Sequence, residues 1–317
     1  MKFLVYGAGA LGQAVGCMLA AQGDHHVDFI LRERFIDSIL ANGLKVTGIL
    51  GKFCAPLQNC TFLPTVDRAQ GVYDYVLITT KAYDTETAVR DIASLGDRAI
   101  RIVSMQNGCG NVELVEQQFG PEKSLGARVI TGFEIMRTGM IAITVTADAI
   151  HVGASRRGEI PESAIELAAM IAHAGHPALA VTDIHQSLFA KLLYNCSLNP
   201  LGAILGVHYG ALVEHAETRE LMNRVINETF AVITALGGTT PWPDADTYRQ
   251  VFYDKLVPAT YNHRPSMLQD LENGKRTEVD ALVGYVSRQG KRHGLSTGTC
   301  DVLAALVKFK ESQERGR

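Results

Sequence analysis

Lys2-Phe3-Leu4-Val5-Tyr6-Gly7-Ala8-Gly9-Ala10-Leu11-Gly12 decides the fold of this chain. Lys2 to Tyr6 reads as a short buried strand, and Ala14 to Gln22, closed by Gly23, as a helix. A Gly-x-Gly-x-x-Gly pattern is weak alone, but here it lies between a strand and a helix, the context that gives it a mechanism. Gly7 allows the tight turn, Gly9 lets the backbone approach a pyrophosphate and Gly12 permits close helix packing, while the helix amino terminus attracts phosphate. A glycine-rich turn with no ligand is the plainer alternative.

A second apolar run, Val27 to Leu31, ends in Arg32-Glu33-Arg34, where a site for NAD would carry an acid reaching the ribose. Arg32 comes first, and a guanidinium matches a phosphate bidentately, which points to the adenosine 2′-phosphate and hence to NADP(H). Glu33 beside it keeps the acidic, NAD-type reading open. The alternation continues with strands at Tyr75 to Thr80 and Ala99 to Met105, and helices at Asp84 to Ser94 and Asn111 to Gln118. This pattern predicts an α/β, Rossmann-type doubly wound parallel sheet. Ligands bind beyond the carboxyl ends of such strands, where Thr80-Lys81 and Gln106-Asn107-Gly108 stand. Lys81 reads equally well as a solvated strand-end lysine, and Asn107 as part of an Asn-Gly turn. From Ser124 to Gly153 extended runs at Ala127 to Ile135 and Met140 to Val145 predict antiparallel strands added to the sheet.

After a helix near Glu162 to Ala174 and a run at Ala178 to Val181, the pattern becomes helical, so the boundary is expected near Thr182: a dinucleotide domain over 1–182 and an all-α domain over 183–317. Two domains also fit 317 residues with 47% hydrophobic residues. In Leu188 to Pro200, Lys191, Asn195 and Asn199 recur every four residues, and each such step advances about 40° around a helix, so one stripe gathers an ammonium and two amides. Pro200 is expected to end that helix. A lysine among apolar residues is costly to bury unpaired, so the stripe should border a polar cleft; an exposed stripe on an amphipathic helix is the alternative. Ser266 to Gln269 resembles a capping box, and Asn273-Gly274 a carboxyl cap. Thr277 should then start a helix with Glu278 in its first turn. By pattern alone, Ser266 is a cap and Glu278 a favourable charge on the helix dipole.

Composition excludes several classes. A formal net charge of −3 with scattered basic residues argues against nucleic acid and anionic membranes as partners. The first apolar run, Phe3 to Tyr6, is interrupted at once by glycines, which fits neither a signal peptide nor a membrane span and predicts a cytoplasmic protein. The six cysteines show no Cys-x-x-Cys pair and read as reduced thiols, and the ten histidines show no familiar metal-ligand spacing.

Taken in order, Gly7-Ala8-Gly9-Ala10-Leu11-Gly12, Thr80-Lys81-Ala82, Gln106-Asn107-Gly108, Lys191-Leu192-Leu193-Tyr194-Asn195 with Asn199-Pro200, and Ser266-Met267-Leu268-Gln269-Asp270 leading to Arg276-Thr277-Glu278 make the chain resemble the ketopantoate reductase (2-dehydropantoate 2-reductase) family along nearly its whole length. The resemblance implies NADPH-dependent reduction of a small branched 2-keto acid to a 2-hydroxy acid in pantothenate and coenzyme A biosynthesis. It implies Lys191 as general acid and Glu278 as its assistant. It places Asn107, Asn195, Asn199 and Ser266 on the substrate, and Gly7 to Gly12, Arg32 and Lys81 on the cofactor, toward which Asn107 and Glu278 also contribute. Two departures stand out: Tyr209 where family members can carry an asparagine, and Ser296-Thr297-Gly298-Thr299-Cys300 where a Thr-Pro start to the last helix is expected. A related reductase of another 2-keto acid, and a non-catalytic NADP(H) sensor, are the competing functions. Oligomeric state is not encoded in these motifs, and a homodimer is left open.

Overall fold

The computed structural model describes residues 1–314 and divides them into two compact units. The first comprises residues 1–107 and 111–184; the second, residues 108–110 and 185 onward. Among the described residues, no helix is long and apolar enough to cross a membrane.

The first unit contains strands β1 (Lys2–Tyr6), β2 (His26–Ile30), β3 (Leu44–Gly48), β4 (Phe53–Ala55), β5 (Cys60–Leu63), β6 (Tyr73–Ile78), β7 (Ala99–Ser104), β8 (Ser124–Arg128), β9 (Thr131–Arg137), β10 (Met140–Thr146), β11 (Ile150–Ala154) and β12 (Ala178–Ala180). Its helices are α1 (Ala10–Ala21), α2 (Ile36–Asn42), α3 (Thr85–Ala93), α4 (Asn111–Phe119) and α5 (Glu162–His173). Eight strands form the main sheet in the order β12-β11-β8-β7-β6-β1-β2-β5. From β5 to β8 every pairing is parallel, as a doubly wound sheet requires, and β11 adds an antiparallel pairing to β8. Along β1 the side chains alternate between two cores. Phe3 and Val5 join α1 and α5 residues on one face, whereas Leu4 and Tyr6 pack with Ala88, Val89 and Ile92 of α3 on the other. Full burial of each large aliphatic chain here contributes about 1.5–3 kcal/mol.

The expected run at Ala127 to Ile135 is not one strand. It breaks after Arg128, and β9 pairs with β10 as a hairpin in a separate four-stranded sheet, β4-β3-β10-β9. Arg128 is buried and bonded to Asp148 at 2.7 Å, which fixes the end of β8, while Thr131 opens β9 bonded to Thr146 and His176. A period-two pattern reports extended backbone, whereas sheet membership is set by distant partners.

The second unit holds α6 (Ile184–Leu205), α7 (Tyr209–Val213), α8 (Ala216–Ala235), α9 (Ala245–Val251), α10 (Val257–Ala259), α11 (Ser266–Glu272), α12 (Val283–Arg292) and α13 (Gly298–Glu314). Between α9 and α10 the chain makes one π-helical turn, Phe252–Leu256. The helix bearing Lys191 does not stop at Pro200. It continues through the proline to Leu205 and stops where Gly206 takes φ +72° and sends its N–H to the Gly202 carbonyl. Proline's fixed φ is helical, so Pro200 forfeits one backbone hydrogen bond without forcing termination.

The capping box at Ser266 is not formed either. Pro265 is the amino cap, its carbonyl accepting from the Gln269 N–H, and Ser266 is the first helical residue. The carboxyl cap does form: Gly274 (φ +61°) donates to Leu271 and Lys275 to Asp270, a Schellman pair. Beyond it, in place of an α-helix starting at Thr277 the chain makes a 3-10 turn (Val279–Ala281) after Glu278, and α12 begins only after an irregular Leu282 at ψ −113°. Thr277 is drawn out of helical geometry because its N–H and hydroxyl both bond the Glu311 carboxylate of α13, at 2.6 and 2.5 Å.

The last helix starts without a Thr-Pro because its first N–H groups are served from elsewhere. The Glu228 carboxylate of α8 accepts from the Thr299 and Cys300 N–H groups at 2.9 and 2.8 Å. A carboxylate at a helix amino terminus satisfies orphan donors and complements the dipole. Replacing Glu228 with Ala should lower unfolding free energy by about 1–2 kcal/mol, measured by urea denaturation. A midpoint equal to wild type would show that α13 does not depend on this cap.

Candidate active site

The glycine turn leaves the carboxyl end of β1, between β2 and β6, with Tyr6 in register with Ile30 and Ile78. Its backbone is tied down on both sides. Gly7 and Ala8 N–H groups reach the Ile30 carbonyl, the Gly7 carbonyl accepts from the Thr79 hydroxyl at 3.0 Å, and the Ala8 carbonyl accepts from the Gln13 side chain at 2.8 Å. Helix α1 starts four residues sooner than the pattern suggested, with Gly9 as amino cap and its carbonyl accepting from Gln13. Ala10, Leu11 and Gly12 therefore form the first turn, which holds no acidic residue and no side-chain cap.

The three glycines are needed for different reasons. Gly7 has φ +89°, and a Cβ there would lie 2.2 Å from Thr80 Cγ2. A Cβ on Gly12 would lie 2.3 Å from Thr79 Oγ1 and 2.8 Å from Val5 Cγ1. Gly9 has an ordinary φ of −77°, and a Cβ there would meet nothing closer than 3.8 Å. Neither packing nor backbone geometry requires glycine at position 9, so the open space above it fits a group that approaches the backbone itself, as a pyrophosphate does at an uncapped helix start. The residues present thus fit a dinucleotide.

The other cofactor candidates lie at neighbouring strand ends in the same unit. Arg32 is exposed two residues beyond β2, and Lys81 is half-buried three residues beyond β6. The ends of β6 and β7 are joined by a buried amide and hydroxyl network that the sequence did not single out. The Gln106 amide donates to the hydroxyls of Thr85 (2.8 Å) and Thr80 (3.1 Å), Thr85 donates to Asn111 Oδ1 (2.8 Å), and Asn111 Nδ2 donates to the Asn107 carbonyl (2.9 Å). This holds the backbone under Asn107. The signal for Asn111 and Thr85 was hidden because both also read as ordinary helix-start residues.

In the second unit, α6 is buried almost all round: Leu188, Phe189, Leu192, Leu193, Cys196 and Leu198 all lie in the core. Lys191 and Asn195 are half-buried and Asn199 is 4% exposed, which rules out an exposed amphipathic stripe. Asn199 Oδ1 accepts from the Tyr209 hydroxyl at 2.9 Å, so Tyr209, singled out only as a departure, is bonded to a candidate substrate residue. Ser266 is exposed at the start of α11. Glu278 is 7% exposed and follows Thr277, which Glu311 anchors.

The titration behaviour follows burial. It pushes the Tyr194 phenol up to about 12, only partly offset by the hydrogen bond to Thr260, and pushes Tyr209 further in the same direction, with Tyr194 adding to it. Both remain neutral donors. All six cysteines are free, and burial raises the Cys17 and Cys60 thiols to about 12, far from the reactive range.

The parallel sheet, the 3-2-1-4-5-6 arrangement of β5, β2, β1, β6, β7 and β8, and the open glycine at the end of β1 define the dinucleotide-binding class of proteins. Two family models match the chain in sequence order: "Ketopantoate reductase PanE/ApbA" over residues 3–157 and "Ketopantoate reductase PanE/ApbA C terminal" over residues 183–311. The chain is 39% identical to a 2-dehydropantoate 2-reductase of Aquifex aeolicus, covering 98% of this chain and 97% of that one. It is 32% identical to the enzyme of that name from Archaeoglobus fulgidus, over 97% of each. Among solved structures, a 2-dehydropantoate 2-reductase from Geobacter metallireducens superimposes with TM-score 0.86 at 27% identity, over 98% of this chain and 99% of the other. D-mandelate dehydrogenase, solved with NADH and anilino(oxo)acetate, gives TM-score 0.85 at 25% identity over 99% of each chain. The chain belongs to the ketopantoate reductase family.

Contrasting glycine variants test the site. Gly9→Ala should keep its melting temperature and weaken NADPH binding by about tenfold or more, whereas Gly12→Ala should lose about 1–3 kcal/mol of stability. Unchanged NADPH affinity in Gly9→Ala, read by fluorescence titration, would remove the pyrophosphate from this turn.

Proposed function

We propose that this chain reduces 2-dehydropantoate to pantoate with NADPH. The cofactor is assigned to the domain spanning 1–182, and the acid-base residues to the helical domain spanning 183–317. The observation that carries the reading is the Lys191, Asn195 and Asn199 stripe, an ammonium and two amides kept on an otherwise core-buried helix. Such groups are retained in an apolar setting when a ligand or partner satisfies them. Membership of the family, and two relatives above 30% identity that carry the name 2-dehydropantoate 2-reductase over almost their full length, support it.

When bound, NADPH would supply the hydride that reduces the keto carbon. Gly7 to Gly12 would cradle its pyrophosphate, Arg32 would take the 2′-phosphate and Lys81 would bind alongside. Asn107, Asn195, Asn199 and Ser266 hold the keto acid, with Asn107 and Glu278 also contributing to the nicotinamide side. As charge grows on the carbonyl oxygen, the Lys191 ammonium stabilises it and delivers the proton that completes the hydroxyl. Glu278 assists Lys191 in this step.

Following loss of reduced-nicotinamide absorbance with 2-dehydropantoate, pyruvate-type acids and an aryl 2-keto acid tests the substrate. The aryl acid is included because of the structural likeness to D-mandelate dehydrogenase. Fastest turnover with 2-dehydropantoate and NADPH is expected; preference for the aryl acid would move the substrate assignment, and tight NADPH binding with no turnover would favour a sensor. Lys191→Ala should lower kcat by about 10²–10⁴-fold with NADPH affinity retained. Arg32→Ala should weaken NADPH by about tenfold and leave NADH unchanged. Equal effects on both cofactors would take the 2′-phosphate away from Arg32.

A further inference from the structure

Of Lys191, Asn195 and Asn199 on α6, Asn199 is the most deeply buried, and its side chain is held from outside that helix. Tyr209, at the start of α7, directs its hydroxyl to Asn199 Oδ1 at 2.9 Å, and the two residues are 3% and 4% exposed. We infer that Tyr209 is a positioning residue for the reaction: its phenol takes the oxygen end of the Asn199 amide, so that the Nδ2 end, a pure donor, is what the keto acid meets. This inference rests on the reading that Asn199 binds substrate.

The two ends of an amide have nearly the same shape, so neighbours decide which one a ligand finds. If the Asn199 amide were turned over, Nδ2 would donate to the phenol oxygen and the phenol hydrogen would need another acceptor. Among the described residues, Asn199 is the one hydrogen-bond partner of the Tyr209 hydroxyl. A buried donor without an acceptor disfavours the turned-over amide by about fivefold to a hundredfold. Ionisation would remove the phenol's donor role, but burial, with Tyr194 adding to it, holds the Tyr209 hydroxyl in its protonated form.

The ring itself cannot swing aside. The edge-to-face contact with Tyr194 has centroids 5.8 Å apart at 85°, the His263 ring lies 5.2 Å away, and the Tyr209 N–H is bonded to the His263 carbonyl at 3.1 Å. Tyr194 is pinned in turn by its hydroxyl contact with Thr260 at 2.5 Å. The next residue must be glycine for this turn to close, because a Cβ on Gly210 would lie 2.4 Å from the Tyr261 ring. Asn199 Nδ2 makes no hydrogen bond to a described residue, which leaves its N–H donors for the keto acid. With Oδ1 engaged by the phenol, the Nδ2 hydrogens are what Asn199 offers to a carboxylate or keto oxygen. The carboxylate and keto groups of a 2-keto acid present such acceptors.

The test is a kinetic comparison of full-length variants, with thermal midpoints and NADPH titrations in parallel. Tyr209→Phe keeps the ring packing and removes only the hydroxyl; it should raise KM for 2-dehydropantoate about 3- to 10-fold while kcat and NADPH affinity stay within about twofold. In an Asn199→Ala background the same change should have no further effect on KM, since its action runs through Asn199. Asn199→Asp keeps an acceptor for the phenol and removes the donor, and should lose keto-acid binding with the thermal midpoint retained. Unchanged KM in Tyr209→Phe, alongside a raised KM in Asn199→Ala, would overturn the positioning role while leaving Asn199 on the substrate. Unchanged KM in Asn199→Ala would overturn the assignment of Asn199 and the inference with it. Additive effects in the double variant, or wild-type KM in Asn199→Asp, would also overturn it.

Discussion

The approach of the β1–α1 turn to the end of β6 is the constraint on which the first unit depends. Gly7 and Gly12 are packed so tightly against Thr79, Thr80 and Val5 that no side chain can be added at either position. That contact brings the start of α1 onto the strand ends and aligns β1 with β2 and β6. Gly9, on the same turn, stays uncovered. Packing therefore produces both the rigidity of the turn and the opening above it, where a dinucleotide phosphate can sit against main-chain N–H groups.

The helical unit solves a different problem. It carries Lys191, Asn195 and Asn199 on a helix whose other faces are core, and polar groups so placed need outside partners to keep one orientation. Two supports come from distant sequence: Tyr209 holds the Asn199 amide, and Glu311 holds Thr277 beside the buried Glu278. Both supports lie outside the motifs that carry the chemistry. The same economy appears at the start of α13, where Glu228 replaces the cap that the local sequence lacks.

Membership of the ketopantoate reductase family and these supports bear on one question, how a shared fold is fitted to one acid. The cofactor end is built from main chain and glycines, which leave little room for variation. The proposed substrate end consists of side chains in the helical unit, of which Asn199 is held by a neighbour. Tyr209 is that neighbour, a phenol bonded to Asn199 Oδ1.

The sequence by itself determined the parts whose chemistry is local. The strand, glycine turn and helix at the amino terminus, the parallel alternation, the change to helices near Thr182, and the spacing of Lys191, Asn195 and Asn199 all depend on residues within a few turns of one another. What only the tertiary structure decided depends on partners far along the chain. The split of Ala127 to Ile135 between two sheets follows from pairings of β8 and β9 with different strands. Continuation of α6 past Pro200, the absence of a capping box at Ser266, and the 3-10 turn after Glu278 follow from surroundings that outweigh a single local hydrogen bond. Local pattern sets which conformations are cheap; contacts of high sequence separation choose among them, because each removes more apolar surface, or satisfies more buried donors, than the local preference it overrides.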